Sequence, residues 1–375
     1  MAENMRRFAC VFPGQGSQEI GMAGPLMEDP LSADVFREAG ETLKIDLVKL
    51  IQEGPIEDLT QTENAQPAIL TTSFAAWKLL IRAFGMNASP TYVAGHSLGE
   101  FTALAAAGSL EFKDAVRLVR RRGLLMKEAV SVGEGTMAAL IGANHELVAK
   151  IVEMAALNEV LDVANYNTAK QTVISGAVGA IERAMKLAKD HGVKKVARLK
   201  VSAPFHSRMM GPVREKFEKE LQEYKFMTPF CPVVHNVTAW PNTEPRKIIN
   251  FLAKQIDSSV RWVESIQFML EHEVEVFIEV GHGAVLQGLV KSIAGKDFNG
   301  EILGFAKSED LDRIIEILGL PKVEKPKETE DPKDLPGLAV KAVDLPSEFP
   351  EVNNISDLDP GDEEDEIETG GEKQE

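Results

Sequence analysis

"YVAGHSLGEF", residues 92–101, decides how this chain is read. A short apolar run stops at Gly95, a serine stands between two glycines, and the alanine-rich stretch "LGEFTALAAAGSL" (98–110) has helical character. Strand, sharp turn and helix form the context in which G-x-S-x-G acts as a nucleophile elbow. Gly95 and Gly99 let strand and helix approach closely, and the turn lifts the Ser97 hydroxyl to the carboxyl edge of a sheet. The N–H of Leu98, at the start of the helix, then faces any oxyanion formed when Ser97 attacks a carbonyl. A lone G-x-S-x-G is weak, and a plain strand–helix turn is its alternative; the flanking pattern favours the nucleophile.

Working outward, the same alternation recurs. "FACVF" (8–12) is an apolar run cut off by "PGQG" and reads as a buried strand. Helical spacing runs over 68–85, ending at a glycine, and over 112–130. Late in the chain, 274–281 reads as a strand, 284–295 as a helix and 300–305 as a strand. Strands alternating with helices indicate an α/β fold with a parallel sheet covered on both faces. The middle differs: strand 136–142, helix 144–159, paired strands 161–167 and 171–177, helix 178–192 and strand 194–202. That order is βαββαβ, the ferredoxin-like unit. The expected organisation is a discontinuous α/β core at 1–131 and 204–320, an inserted ferredoxin-like domain at 132–203, and a tail at 321–375.

The tail is set apart by charge. Of the chain's net −17, about −12 falls after residue 320, in a segment rich in proline, acid and glycine. Such a segment buries too little apolar surface to offset its ordering entropy, so disorder is expected there. An acidic chain argues against nucleic acid or anionic membrane as a partner. No apolar run reaches the roughly 18 residues of a membrane span, and the N-terminal run is too short for a signal peptide. Two distant cysteines, Cys10 and Cys231, suggest no disulfide framework and a cytoplasmic setting.

A serine nucleophile needs a base. Of seven histidines, His96 adjoins Ser97 and should point away from it; His145, His191 and His272 sit among polar neighbours and read as surface residues; His235 follows "FCPVV" and reads as a strand-end residue. His206 in "SAPFHS" and His282 in "EVGHGAVL" remain, and spacing alone leaves both open. No acid partner in the order Ser–Asp/Glu–His is evident, and no His/Cys/Asp cluster has metal-ligand spacing, so no metal is expected.

Six motifs in order, "FPGQGSQ" (12–18), "GHSLGE" (95–100), "RGLLM" (122–126), "NYNTAKQTVISG" (165–176), "APFHS" (203–207) and "QIDSSVRW" (255–262), make the chain resemble the malonyl-CoA:acyl-carrier-protein transacylases. The resemblance spans about Phe8 to Phe305 and implies an α/β-hydrolase-like core with an inserted ferredoxin-like subdomain. It implies ping-pong transfer of malonyl from malonyl-CoA, through an ester on Ser97, to the phosphopantetheine thiol of acyl carrier protein in fatty-acid synthesis. By motif, His206 is the base and the Gln255 backbone carbonyl holds it in place of an acid. The N–H groups of Gln15 and Leu98 form the oxyanion hole, Arg122 pairs with the malonyl carboxylate, and Phe205 favours malonyl over branched units. Arg120 and Arg121 read as solvated helix residues. The resemblance implies no cofactor, no metal and a monomer.

Two features depart from the family. His282 stands where proline is common, and the acidic tail is extra. The competing readings are a trans-acting malonyltransferase of a polyketide synthase, a serine esterase or thioesterase, and a non-catalytic carrier-binding protein.

Overall fold

In the computed structural model, residues 5–85, 88–129, 133–201 and 203–321 are described. The expected disorder of 321–375 lies outside the described residues from 322 onward.

Strand β1 (Phe8–Phe12) is buried along its whole length. Phe8, Cys10 and Phe12 enter one apolar cluster, and Ala9 and Val11 enter another on the opposite face. A strand covered on both faces reads as an unbroken apolar run because each alternate side chain has its own core to fill. Around it stand β2 (Tyr92–Gly95), β7 (Val233–Val234), β8 (Pro241–Asn242), β9 (Val276–Val280) and β10 (Glu301–Phe305). The six-stranded order is β10-β9-β1-β2-β7-β8. All neighbours pair in parallel except β7 with β8, which is antiparallel. Two residues each, β7 and β8 are too short to show any periodicity in the sequence.

The second sheet contains β3 (Gly135–Ile141), β4 (Leu161–Thr168), β5 (Gln171–Ala177) and β6 (Lys195–Arg198) in the antiparallel order β4-β5-β3-β6. With the first and third strands central, this is the ferredoxin-like arrangement the middle segment suggested. The helices His145–Ala156 and Val178–Asp190 pack on it through their own apolar cluster. The strand expected over 194–202 is shorter than its apolar pattern; as an edge strand it pairs over only four residues. A backbone bridge joins the sheets' neighbourhoods: Val260 N–H donates to Ala164 O at 2.8 Å and Tyr166 N–H to Val260 O at 2.9 Å.

Several helix limits differ from the pattern. The helix expected at 68 begins at Thr62. The helix after the elbow ends at Ala106 rather than 110, because Gly108 turns the chain at φ +73°. Helices Pro30–Leu43, Gly211–Leu221, Pro245–Lys254 and Trp262–Glu271 complete the layers. No described helix is long and apolar enough to cross a membrane.

The contact between β2 and the helix Gly99–Ala106 is the tightest point of the core. A Cβ on Gly95 would lie 1.9 Å from the carbonyl carbon of Gly99, and one on Gly99 would lie 2.1 Å from Phe12 O. Those neighbours are backbone atoms and cannot rotate away. Gly99→Ala is therefore expected to destabilise the fold by about 3 kcal/mol or more. A urea unfolding midpoint equal to that of the parent would refute the claim that the helix start lies against Phe12 of β1 there.

Candidate active site

The elbow carries strain. Ser97 has φ +51°, a left-handed conformation uncommon for a non-glycine residue. It is braced from behind by Asn236, in the loop after β7. The Ser97 N–H donates to Asn236 Oδ1 at 2.7 Å, and Asn236 Nδ2 donates to Gly95 O at 2.7 Å.

His206, not His282, meets the serine. Its Nε2 lies 2.7 Å from Ser97 Oγ and its Nδ1 2.8 Å from the backbone oxygen of Gln255. A carbonyl oxygen only accepts, so Nδ1 carries the proton and Nε2 is free to accept from the Ser97 hydroxyl. His206 is itself left-handed, at φ +58°, which aims the ring. Burial first, and the Arg122 charge second, lower its pKa to about 3, so the ring is neutral near pH 7. His282 lies elsewhere. Its Nε2 is 2.9 Å from Glu19 Oε2, so the acid partner that the sequence did not reveal for it exists, in an exposed pair. The helix that follows starts only at Val285.

Arg122 is 2% exposed on the helix Phe112–Glu128. Its Nη1 donates to Gln66 Oε1 at 2.8 Å, and its Nη2 to Gln255 Oε1 at 3.0 Å and to Ser97 Oγ at 3.1 Å. The guanidinium sits 5.7 Å from the Phe101 ring centroid. Three of its five N–H groups are thus engaged and Nε has no partner. Among the described residues no acid lies within ion-pair distance of it. Burial lowers its pKa to about 10 and Glu100 acts against that shift, so Arg122 stays charged at neutral pH. Its neighbours differ from it and from each other. Arg121 pairs with Glu220 at 2.8 Å on the surface, whereas Arg120 is half-buried and donates to Glu63 O at 2.7 Å, tying two helices rather than facing solvent.

The remaining expected residues are close by in sequence or fold. Phe205 is 7% exposed and belongs to the large apolar cluster. Gln15 Oε1 accepts from Thr62 Oγ1 at 3.0 Å. The backbone N–H groups of Gln15 and Leu98 have no hydrogen-bond partner among the described residues. His96 points away from Ser97 as expected and its Nε2 is 2.8 Å from Asn167 Oδ1 on β4. No cluster of metal-ligating side chains occurs among the described residues.

Sequence reasoning missed a polar layer beneath the elbow. Glu100 and His235, both fully buried, meet at 2.6 Å, and Asn236 and Gln255 join them. The available signal was a glutamate in an otherwise apolar helix and a His–Asn pair directly after an apolar run.

Residues 9–308 match the acyl transferase domain model. The chain is 42% identical over 292 residues to the malonyl CoA-acyl carrier protein transacylase of Haemophilus influenzae, covering 78% of this chain and 93% of that protein. The Bacillus subtilis protein of the same name is 45% identical over 291 residues, covering 77% and 91%. The solved malonyl CoA-acyl carrier protein transacylase of Coxiella burnetii superposes with a TM-score of 0.81 at 41% identity, over 84% of this chain and 98% of that one. A malonyl-transacylase solved with a type II polyketide acyl carrier protein gives a TM-score of 0.79 at 38% identity, over 83% and 99%.

Asn236→Ala removes an acceptor from the Ser97 N–H and a donor from Gly95 O. Two orphaned buried groups at about 1 kcal/mol each give an expected loss of about 2 kcal/mol. Urea unfolding measures it, and an unchanged midpoint would contradict the bracing.

Proposed function

The chain belongs to the malonyl CoA-acyl carrier protein transacylase family, and from that premise we propose how its own residues move malonyl from malonyl-CoA to acyl carrier protein. One observation carries the assignment: a Ser–His–carbonyl chain closes on a hydroxyl that also touches a buried guanidinium lacking an acid partner.

Ser97 Oγ attacks the malonyl thioester carbonyl while His206 Nε2 takes its proton. The Gln255 carbonyl keeps the ring in the required tautomer and stabilises the imidazolium formed. The free N–H groups of Gln15 and Leu98 are assigned to the oxyanion of the tetrahedral intermediate. On its collapse the CoA sulfur leaves with the proton from His206, and malonyl remains as an ester on Ser97. The phosphopantetheine thiol of the carrier then attacks that ester; His206 takes the thiol proton and returns it to Ser97 Oγ as the serine departs.

Arg122 is assigned to the free carboxylate of malonyl. Two of its N–H groups are available, and a buried cation with no acid at ion-pair distance among the described residues is a strong attractor for a carboxylate. An esterase acting on neutral acyl groups has no use for such a cation, which weighs against the hydrolase reading. Phe205 is assigned to the wall that limits the acyl group. The division into core (1–131, 204–320) and small domain (132–203) is part of the same proposal.

Ser97→Ala is expected to abolish the malonyl adduct, read by intact mass after incubation with malonyl-CoA. An adduct of undiminished yield would rule out Ser97 as the nucleophile. For Arg122→Ala, kcat/KM with malonyl-CoA should fall by about 2–4 kcal/mol of transition-state binding, while acetyl-CoA loses far less. Equal losses would make Arg122 structural.

The pH dependence has a defined sign. His206 is held near a pKa of about 3, below the ordinary 6.5, so the neutral base persists as pH falls through 6.5. Single-turnover acylation of Ser97 should hold its plateau from pH 7 to 5.5. Half-loss centred on 6.5 would show an unperturbed histidine as the base. In the same interval the unfolded chain binds the extra proton, so stability contributed by neutral His206 is present above 6.5 and declines as pH drops toward 3.

A further inference from the structure

We propose that Glu100 is a positioning residue for acyl transfer, fixing Gln255 so that its two carbonyl oxygens face His206 and Arg122. Glu100 lies in the first turn of the helix after the elbow and is fully buried. Its Oε1 is 2.6 Å from His235 Nδ1; its Oε2 accepts from the Asn236 N–H at 3.1 Å and from Gln255 Nε2 at 2.8 Å. The backbone N–H and the amide can only donate, so Oε2 accepts from both.

Gln255 is where this contact reaches the site. Its amide Nε2 donates to Glu100 and, at 2.9 Å, to Ser97 O, while its Oε1 accepts from Arg122 Nη2 at 3.0 Å. Turning the amide over would set Nε2 against the guanidinium donors and Oε1 against the Glu100 oxygens. An accepting carboxyl oxygen on one side and guanidinium donors on the other therefore leave a single orientation. The same residue's backbone oxygen holds His206 Nδ1. Displacement of Gln255 moves the base and the carboxylate-binding cation together. Glu100 does for this site what a triad acid does elsewhere, from one residue further back and without touching the histidine.

This inference rests on the roles proposed for Ser97, His206 and Arg122. It differs from a brace for the 235–236 turn, because a brace acts on both substrates alike and does not need the Gln255 side chain.

The test is single-turnover acylation of the full chain with malonyl-CoA and with acetyl-CoA, for Glu100→Gln, Gln255→Ala and the double variant. Glu100→Gln keeps the volume but replaces one of the two oxygens by an NH2 donor, so the layer cannot keep all three contacts unless His235 changes tautomer or turns over. It is expected to slow malonyl transfer about 100-fold, the scale of a misplacement near 1 Å, and to lower the malonyl-to-acetyl preference about tenfold. In the Gln255→Ala background, which retains the backbone carbonyl, the same change should add less than about threefold. Equal losses for both thioesters, or a full multiplicative loss in that background, would overturn the proposal. If Glu100→Gln does not fold, Gln255→Ala alone decides: it must lower the malonyl preference about tenfold, and an unchanged preference overturns the proposal. A parent protein that forms no adduct on Ser97 would instead bring down the functional reading itself, so the two failures are separable.

Discussion

The close contact of Gly95 with Gly99 is the constraint on which the site depends. With no side chain at either position, β2 runs directly into the next helix, and the serine between them is left-handed. Left-handed Ser97 and His206 each cost on the order of 1–3 kcal/mol. The surrounding bonds hold them there: Asn236 on both sides of the Ser97 peptide, and the Gln255 carbonyl on the His206 ring. The hydroxyl and the imidazole therefore meet at 2.7 Å without either being free to settle elsewhere.

The same site explains why a carbonyl stands where hydrolases often place an acid. Arg122 Nη2 is within 3.1 Å of Ser97 Oγ, which is itself 2.7 Å from His206. A carboxylate against His206 would lie near enough to attract the guanidinium strongly in this dry interior. It would then occupy the guanidinium that the proposed mechanism assigns to the malonyl carboxylate. A neutral carbonyl orients the imidazole with no such rivalry. The carbonyl still favours the protonated ring, but burial and the Arg122 charge outweigh it and hold the His206 pKa low.

Much of this was legible in the sequence, for identifiable reasons. The elbow is local: strand, glycines, serine and helix occupy ten consecutive residues. The βαββαβ segment was legible because its helices and strands are long enough to show their periods. His206 and Gln255 were not legible from spacing, because they meet Ser97 only through the fold; motif resemblance placed them, and spacing left His282 standing. The strands β7 and β8 escaped because two residues have no period. Glu100 and the His235–Asn236 pair escaped because each interrupts an otherwise apolar stretch far from the other in sequence, and only the folded chain brings them into one layer.

That layer also bears on how the two sheets share the work. Ser97, Arg122 and the elbow belong to the large sheet and its helices, whereas His96 reaches across to Asn167 on β4 of the small one. The chain between Gln255 and Val260 spans the gap, hydrogen-bonded to His206 at one end and to Ala164 and Tyr166 at the other. A shift of the small sheet would therefore be felt first along this six-residue connection. Glu100 and Asn236 grip its Gln255 end from the large-sheet side. The His206 ring thus takes its position from a carbonyl whose residue is held on the large-sheet side.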